Sequence, residues 1–563
     1  MNNTFVWHLR EKYAPIEVND IYIEDMAEVL KQTTPASYDV SLELPISLDK
    51  IQMAMKKGGH NKAPGSDGIG LEFYRHNWEI IKEDIHEIIN QIFLHRGIKP
   101  QHKQGITVCL PKSSAAITPA EYRPITLLNT DYKLIERIMV QQLRLVLETH
   151  LRNSQFCEVL GNFITEAVST VREAIAQAEM TDTPLCVLTL DFQEAFDTVS
   201  HKYLFKILRN YGISPWFIER IKDLYDNATA SVKINGNLAG PIPIQCGIWQ
   251  GCLLSMLLYV LCLHPLLRIL EENLPGIQVG TRVRSTVVVA YADDVTVFVT
   301  DPTDFTIIHN TIQKYKLATG ACLNPQKSKA LAIGRWNTPM TVLGINFHSH
   351  IKILGVTFGN TTAESTKTTS THIKRAVQAQ AKQEYARELC IAQRIQYVHT
   401  CLLAKVWYVA QIFPPPKANT QQLTTMCTWY IRHGSIFRVP VTTLQRQKNQ
   451  RGWELMDVAV KCRTLLLNRM WTLNSTEGPA TESWLKYWKL NGPLANPPHK
   501  NNIPNKLAYV KHYALDMAHI TPPGSTETHK MFKCRLYKTL QVMAEAERET
   551  PEMRITQKHP TVP

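Results

Sequence analysis

Two adjacent carboxylates, Asp293 and Asp294, stand inside Ser285-Thr-Val-Val-Val-Ala-Tyr-Ala-Asp-Asp-Val-Thr-Val-Phe-Val-Thr300. A third, Asp191, closes the apolar run Leu185-Cys-Val-Leu-Thr-Leu190 and opens Asp191-Phe-Gln-Glu-Ala-Phe-Asp197. Carboxylates at the ends of separate strands can converge on hard divalent cations, which take oxygen ligands in preference to His or Cys. A pair of such ions can activate a 3′-hydroxyl and stabilise a leaving pyrophosphate in an in-line displacement. Neighbouring side chains on a strand point to opposite faces, so only one of Asp293 and Asp294 can lie fully in one site. Like charges side by side repel, more so in apolar surroundings, and a cation would offset this. Taken alone, the Asp pair would also suit a solvated turn; the second carboxylate stretch at Asp191 favours the metal reading. Asp197 either faces the same ions or caps the helix that follows.

The elements that must position these groups follow from local patterning. Val- and Thr-rich runs on either side of Asp293-Asp294 suit pleated strands, so the pair is expected at the reversal of a hairpin. The continuous apolar run 185–190 reads as a fully buried strand. Asn235-Gly236 between β-prone runs signals a second hairpin, and Ile106 to Lys112 and Ile351 to Phe358 each read as one strand. Helices are expected over Leu48–Lys57 (capped by Ser47), Leu71–His95, Asp131–Leu151, Thr165–Gln177, Tyr203–Asn210 and the apolar stretch from Cys252 toward Leu270. In the second of these, Phe73, Trp78, Ile81, Ile85, Ile88, Ile89 and Ile92 share one side. Lys57 to Gly68 is a loop. It lacks Walker spacing, so a connecting role is more natural than phosphate binding. Alternating strands and helices to about residue 360 indicate an α+β core.

Beyond His372 the character changes. Lys374, Arg375, Lys382, Arg387, Arg394 and Lys405 face only Glu384 and Glu388 as far as Ile412, a helical, basic module suited to a phosphate backbone. Another helix is expected from Trp453 to about Trp471. Residues 475–563 are broken by repeated prolines and read as a loosely built tail with one helix near Met531 to Arg548. The chain has 563 residues, 44% of them hydrophobic, enough to bury several cores. Its 62 Lys+Arg against 49 Asp+Glu give a charge of +13, which favours an anionic partner, nucleic acid before membrane. The start lacks the apolar core of a signal peptide. Its 12 cysteines are scattered without a Cys-x-x-Cys and read as reduced core thiols.

Seven motifs then fall in one order: Lys62-Ala-Pro-Gly-Ser-Asp-Gly68, Tyr122-Arg-Pro-Ile125, Asp191 to Asp197, Gln250-Gly-Cys252, Tyr291-Ala-Asp-Asp294, Leu323-Asn-Pro-Gln-Lys-Ser328 and Ile353-Leu-Gly-Val356. Together they resemble the reverse transcriptase of non-LTR (LINE-type) retrotransposons over about residues 50–360, and more loosely through Gln450 to Val458. The resemblance implies a right-hand polymerase. Its fingers and palm, with an antiparallel sheet, would occupy 51–365 and a helical thumb 366–470, between an N-terminal extension (1–50) and a helical, partly irregular tail (471–563). It implies Asp191, Asp293 and Asp294 as catalytic ligands of Mg²⁺, with Mn²⁺ as a substitute. Lys112 and Arg123 would hold a dNTP triphosphate, and Phe192 would present its backbone to it. Phe196 would crowd a ribose 2′-OH, and Gln250 and Gly251 would line the nucleotide and template site. Lys327 would give a proton to pyrophosphate, and Leu354 and Gly355 would grip the primer. The implied partners are an RNA template, a DNA primer and dNTPs, with no membrane, in an intracellular setting (nucleus or cytoplasm); oligomeric state stays open.

Departures accompany the match. Trp249 stands where the family has Arg, and Leu253 and Met256 where it has Pro. Glu158 and Leu160 stand in a segment expected to be rich in Gly and Arg. Loss of the prolines frees the template loop, and loss of the arginine would remove any phosphate contact it made. These changes suggest a drifting genomic copy, and the rival reading is an inactive, degenerate retroelement copy that at most binds RNA. An RNA-making polymerase is disfavoured by Phe196. The stretch before the first motif is too short for an endonuclease domain and no Cys/His knuckle stands near the end, so the expectation, if the chain is complete, is polymerisation without target nicking; whether an endonuclease was lost or lies outside this chain stays open.

Overall fold

The computed structural model describes residues 2–465 apart from 32–41, 43–44, 148–150, 152–153, 160–161, 279–284, 337–340, 384–388, 433–438 and 463. Leu160, Arg387 and the whole tail therefore lie outside the described residues. The fold is α+β. In chain order the strands are β1 (Gln104–Pro111), β2 (Tyr122–Leu127), β3 (Leu185–Leu190), β4 (Thr229–Ile234), β5 (Asn237–Pro243), β6 (Val288–Tyr291), β7 (Asp294–Val299), β8 (Lys329–Ile333), β9 (Thr341–Val342), β10 (Ile345–Asn346), β11 (His350–Ile353) and β12 (Val356–Gly359).

One antiparallel sheet, ordered β6-β7-β3-β8, carries the carboxylates at its edge. Its alternation divides two cores. On one face Cys186, Leu188 and Leu190 of β3 pack with Val295, Val297 and Val299 of β7 around the helix Leu253–Asn273. On the other, Val187, Phe298 and Leu331 meet the helix Ile164–Thr181 and the helices after residue 362. Both faces of β3 are covered, which is why its sequence is a continuous apolar run with no polar alternation. The helix Leu253–Asn273 is long and apolar enough to span a bilayer, yet most of it is buried within the fold. It is a core helix, touching Thr130–Leu147, His201–Asn210, Asp304–Thr319 and Asp20–Lys31.

The second sheet runs β2-β1-β4-β5, with β1 and β4 parallel and the other pairs antiparallel. Its β4–β5 hairpin turns at Asn235 and Gly236, both at positive φ (49° and 87°), the conformation an Asn-Gly pair favours. After β12 the chain is helical over Thr362–Gln383, Ile391–Tyr397, Ala404–Ala410 and Lys417–Arg432.

Three expected elements differ. The helix of 71–95 is split into Leu71–His76 and Trp78–Gln91, because the Asn77 side chain donates to the Phe73 carbonyl (2.9 Å) and competes with the helical ladder. Its apolar side is not wholly buried, since Phe73 and Ile88 are 50% and 57% exposed. The single strand of 351–358 is instead the β11–β12 hairpin, reversed at Leu354 and Gly355 (φ 45° and 84°). A two-residue turn preserves the period-two alternation, so strand and tight hairpin look alike in sequence. Residues 453–457 are irregular, with Glu454 at φ 57° and the amides of Glu454 and Leu455 bonded to the carbonyls of Arg446 and Leu444; helix begins only at Val458. The N-terminal extension supplies two further helices, Asn2–Lys12 and Asp20–Lys31.

A buried acid sits where two core helices meet. Glu136, fully buried on Thr130–Leu147, accepts the Leu253 amide at 3.4 Å, while burial pushes its carboxyl up to about 7. The folded state thus holds this proton more tightly than the unfolded chain, so stability falls as pH rises from about 4.5 to about 7. Glu136→Gln removes that penalty. Thermal melts should show the variant more stable than the parent near pH 8, by on the order of 3 kcal/mol, with the gain vanishing near pH 4.5. Equal pH profiles would show that Glu136 is not a strained acid.

Candidate active site

The strand register brings the carboxylates together. Leu190 pairs with Val295, so Asp191 follows β3 directly beside the start of β7 at Asp294, and neighbouring strands lie about 4.8 Å apart. Tyr291 pairs with Asp294, leaving Ala292 and Asp293 as the reversal; Ala292 takes φ 54°. One aspartate is therefore in the turn, one begins β7, and the third arrives from the adjacent strand.

The surroundings hold this edge in place. The Asp191 amide bonds to Ser328 Oγ (3.0 Å), and its carbonyl accepts from Asn324 (2.8 Å). On the other flank Gln155, fully buried, accepts the amides of Ala292 (3.1 Å) and Cys157 (3.0 Å) through Oε1. Gln155 thereby pins the turn next to Asp293. Its neighbours Ser154 and Phe156 bond to Ala290 and extend the sheet past β6.

Electrostatically the three acids act on one another. Burial raises the carboxyls of Asp191 and Asp293, and for Asp293 the charge of Asp191 adds to it while Arg123 opposes it. Asp294 is pushed up to about 6 by burial first, then by Asp293 and Asp191. Both Asp293 and Asp294 nonetheless keep a solvent-accessible side. Mutual repulsion at an open edge, among hard oxygen donors, is what a divalent cation would relieve. The donor set fits such an ion in chemistry, although among the described residues no three of these side chains are drawn into a closed ligand cluster.

Cations gather beside the acids. The Lys112 ammonium is pushed down by burial and by Lys12, Lys327 and Arg123 around it. Arg123 pairs across the sheet with Leu110 and also acts on Asp293, while Lys327 acts on Asp191. Lys112 donates to the Ala120 carbonyl at 2.6 Å. Lys112 and Arg123, from the neighbouring β1 and β2, and Lys327, from a remote segment, thus border one carboxylate edge.

The remaining expected residues distribute as follows. Phe192 is buried edge-on to Tyr315 (5.7 Å) in a bridge to Leu323 whose hydrogen bonds run through residues 191 and 193. Phe196 stacks on Tyr259 at 4.6 Å. Gln250 accepts the Thr126 amide (2.8 Å) and donates to Asp197 Oδ2 (2.9 Å). Gly251, at φ 124°, leaves no room for a side chain, since a Cβ would stand 2.4 Å from the Thr126 carbonyl oxygen. Leu354 and Gly355 form the β11–β12 turn, held by the Tyr408 hydroxyl on the Leu354 carbonyl (2.8 Å).

Two readings from sequence change here. Asp197 neither caps the next helix nor lines the acid edge. It is buried, ion-paired to Lys12 (3.0 Å) and bonded to Gln250, with its carboxyl at about 6. Trp249 is a core residue, 4% exposed and packed against Gly105, so an arginine there would enter the interior and not a phosphate-facing surface. Lys12 and Gln155 carry no sequence signal of their own: each is a single polar residue with a partner remote in the chain.

Comparison with known proteins gives this geometry a context. Residues 110–358 match the profile of the family described as reverse transcriptase (RNA-dependent DNA polymerase). The Transposon TX1 uncharacterized 149 kDa protein of Xenopus laevis is 33% identical over 319 residues, which are 56% of this chain and 24% of that protein. The Retrovirus-related Pol polyprotein from type-1 retrotransposable element R2 of Popillia japonica is 26% identical over 291 residues, 51% of this chain and 40% of that protein. The probable RNA-directed DNA polymerase from transposon X-element of Drosophila melanogaster is 25% identical over 264 residues, covering 46% and 29%. The match spans less than half the length of each of these relatives. The segment 110–358 is a reverse transcriptase domain. It is of the non-LTR retrotransposon kind.

The repulsion has a measurable consequence. The Asp294 carboxyl binds its proton more tightly folded than unfolded, so its contribution to stability falls as pH rises from about 4 to about 6. In metal-free buffer near pH 7.5, Asp294→Asn should raise the thermal midpoint, and the gain should shrink below about pH 6. Added Mg²⁺ should stabilise the parent more than the variant. A variant less stable than the parent in metal-free buffer would rule out repulsion as the governing effect.

Proposed function

We propose that this chain is an RNA-directed DNA polymerase, a nucleotidyltransferase that extends a DNA primer on an RNA template with dNTPs. The observation that carries the reading is the meeting of Asp191 with Asp293 and Asp294 beside Lys112, Arg123 and Lys327. Asp191, Asp293 and Asp294 are the residues to hold Mg²⁺, or Mn²⁺ in its place. Such ions, when bound, supply activation of the primer 3′-hydroxyl and charge stabilisation for the leaving pyrophosphate. The fingers are the β2-β1-β4-β5 sheet and the palm the β6-β7-β3-β8 sheet, within 51–365; the thumb is the helical, basic region 366–470.

The chain's own groups then divide the work. Lys112 and Arg123 attract the triphosphate to the acid edge and orient it. Lys327, near enough to Asp191 to act on its charge, gives a proton to departing pyrophosphate. Phe196, backed by Tyr259, crowds the 2′ position and so favours deoxyribose. Phe192, its ring buried against Tyr315, presents its backbone to the triphosphate. Gln250 and Gly251 bring the template loop against Thr126, where the glycine permits close backbone approach. Leu354 and Gly355 present a turn to the primer strand. The three acids and three cations are all present, so the substitutions at 249, 253 and 256 leave the proposed chemical machinery intact.

Extension of a DNA primer on an RNA template by the purified chain tests this. The parent should make product, and Asp293→Ala should fall to the level of a control without protein. Phe196→Ala should keep activity while losing roughly 10- to 100-fold in preference for dNTPs over NTPs. Equal, background-level products from parent and Asp293→Ala, with RNA binding retained, would favour an RNA-binding relic instead.

A further inference from the structure

The N-terminal helix reaches the centre of the molecule. Lys12, its last residue, places its ammonium 2.9 Å from Glu194 Oε1 and 3.0 Å from Asp197 Oδ2, with its side chain only 6% exposed. The helix is anchored for this. Phe5 packs edge-on against Tyr122 at 5.2 Å, and the Tyr13 carbonyl accepts the Gln245 amide at 3.1 Å. Phe5, Leu9 and Tyr13 are all buried in the core that surrounds Leu253–Asn273.

What Lys12 grips is the segment that carries Asp191, Phe192 and Phe196. Glu194 adopts φ 50°, an uncommon left-handed conformation for a residue with a side chain. Its carbonyl accepts the amides of Asp197 (2.7 Å) and Thr198 (3.1 Å), so the chain winds tightly through Phe196. Asp197 in turn accepts from Gln250, and Gly247 is pressed so closely on Asp197 that a Cβ would stand 2.6 Å from its carbonyl oxygen. Without a cation, the carboxylates of Glu194 and the buried Asp197 would repel each other, and the two side chains would lose the group that draws them together.

We propose that Lys12 is a positioning residue of the nucleotide site, acting through Glu194 and Asp197 to set Phe196 and Gln250 for an incoming deoxynucleoside triphosphate. The assignment rests on the polymerase reading. It adds that residues before the matched domain, which begins at 110, are a working part of the site. Lys12 also stands close enough to Lys112 to act on its charge, so the helix borders the proposed triphosphate surface. The ammonium is held by two carboxylates and has no need to touch substrate.

The test uses the full chain with Lys12→Met, Lys12→Arg and the Asp293→Ala control. One readout is equilibrium binding of a fluorophore-labelled deoxynucleoside triphosphate, and another is primer extension with dNTPs and with NTPs. Lys12→Met should weaken triphosphate binding about tenfold and erode the preference for dNTPs. Affinity for the template–primer duplex should stay unchanged, and Lys12→Arg should restore most of both losses. Unchanged triphosphate affinity and sugar preference in Lys12→Met would overturn the proposal. So would parallel losses in duplex affinity and thermal midpoint, the mark of a general packing role. Should the parent give no more product than Asp293→Ala, the polymerase reading fails by itself, and the triphosphate-binding comparison still decides the role of Lys12.

Discussion

Three carboxylates held at neighbouring strand ends are the constraint to which the rest of the structure answers. Nothing in the apolar sheet beneath them favours that arrangement; burial and mutual charge both raise the proton affinity of Asp294. The arrangement persists because the backbone there is over-determined. Ser328 and Asn324 fix Asp191 from one side, Gln155 fixes the turn at Ala292 from the other, and β3 is clamped between β7 and β8. The cores on the two faces of the sheet supply the rigidity against which the repulsion is held. Local unfavourable interactions maintained by surrounding structure are common where a site must be ready before its ligand arrives.

The same logic explains the arrangement of cations. Lys112, Arg123 and Lys327 come from three separate segments, and each would be an ordinary surface charge in isolation. Brought to one edge they repel one another, which adds to burial in lowering the Lys112 ammonium. Acids that crowd acids and cations that crowd cations thus lie side by side, and opposite charges brought to either group would relieve its repulsion. Lys12 differs, because its charge is balanced within the protein by Glu194 and Asp197. It belongs to the frame, and the other three belong to the open surface.

What could be read from sequence follows from how local each signal is. The run 185–190, the Asn235-Gly236 turn and the Val-rich flanks of Asp293 depend on neighbours within a few residues, and all three lie in the expected elements. The β11–β12 reversal was illegible because its two-residue turn keeps the alternation of a single strand. Asn77 broke a helix through one side-chain hydrogen bond that no periodicity reveals. Lys12, Gln155 and the true setting of Asp197 depend on contacts across more than a hundred residues, or on a lone polar side chain in an apolar stretch. Such residues carry no pattern of their own, and only the folded chain shows what they touch.

The departures around Gln250 and Gly251 take on a different meaning once their positions are known. Trp249 fills core space beside Gly105, Leu253 is the first residue of a helix, and Met256 packs partly against the same core. A proline suits the first position of a helix, so Leu253 gives up a preset φ but keeps an amide that bonds to Glu136. These changes therefore act on how firmly the loop and helix are seated. Gln250 and Gly251, between them, remain tied to Asp197 and Thr126. Changes of this kind act on packing, while the backbone of the acid edge is fixed by hydrogen bonds of β3, β7, Ser328 and Gln155.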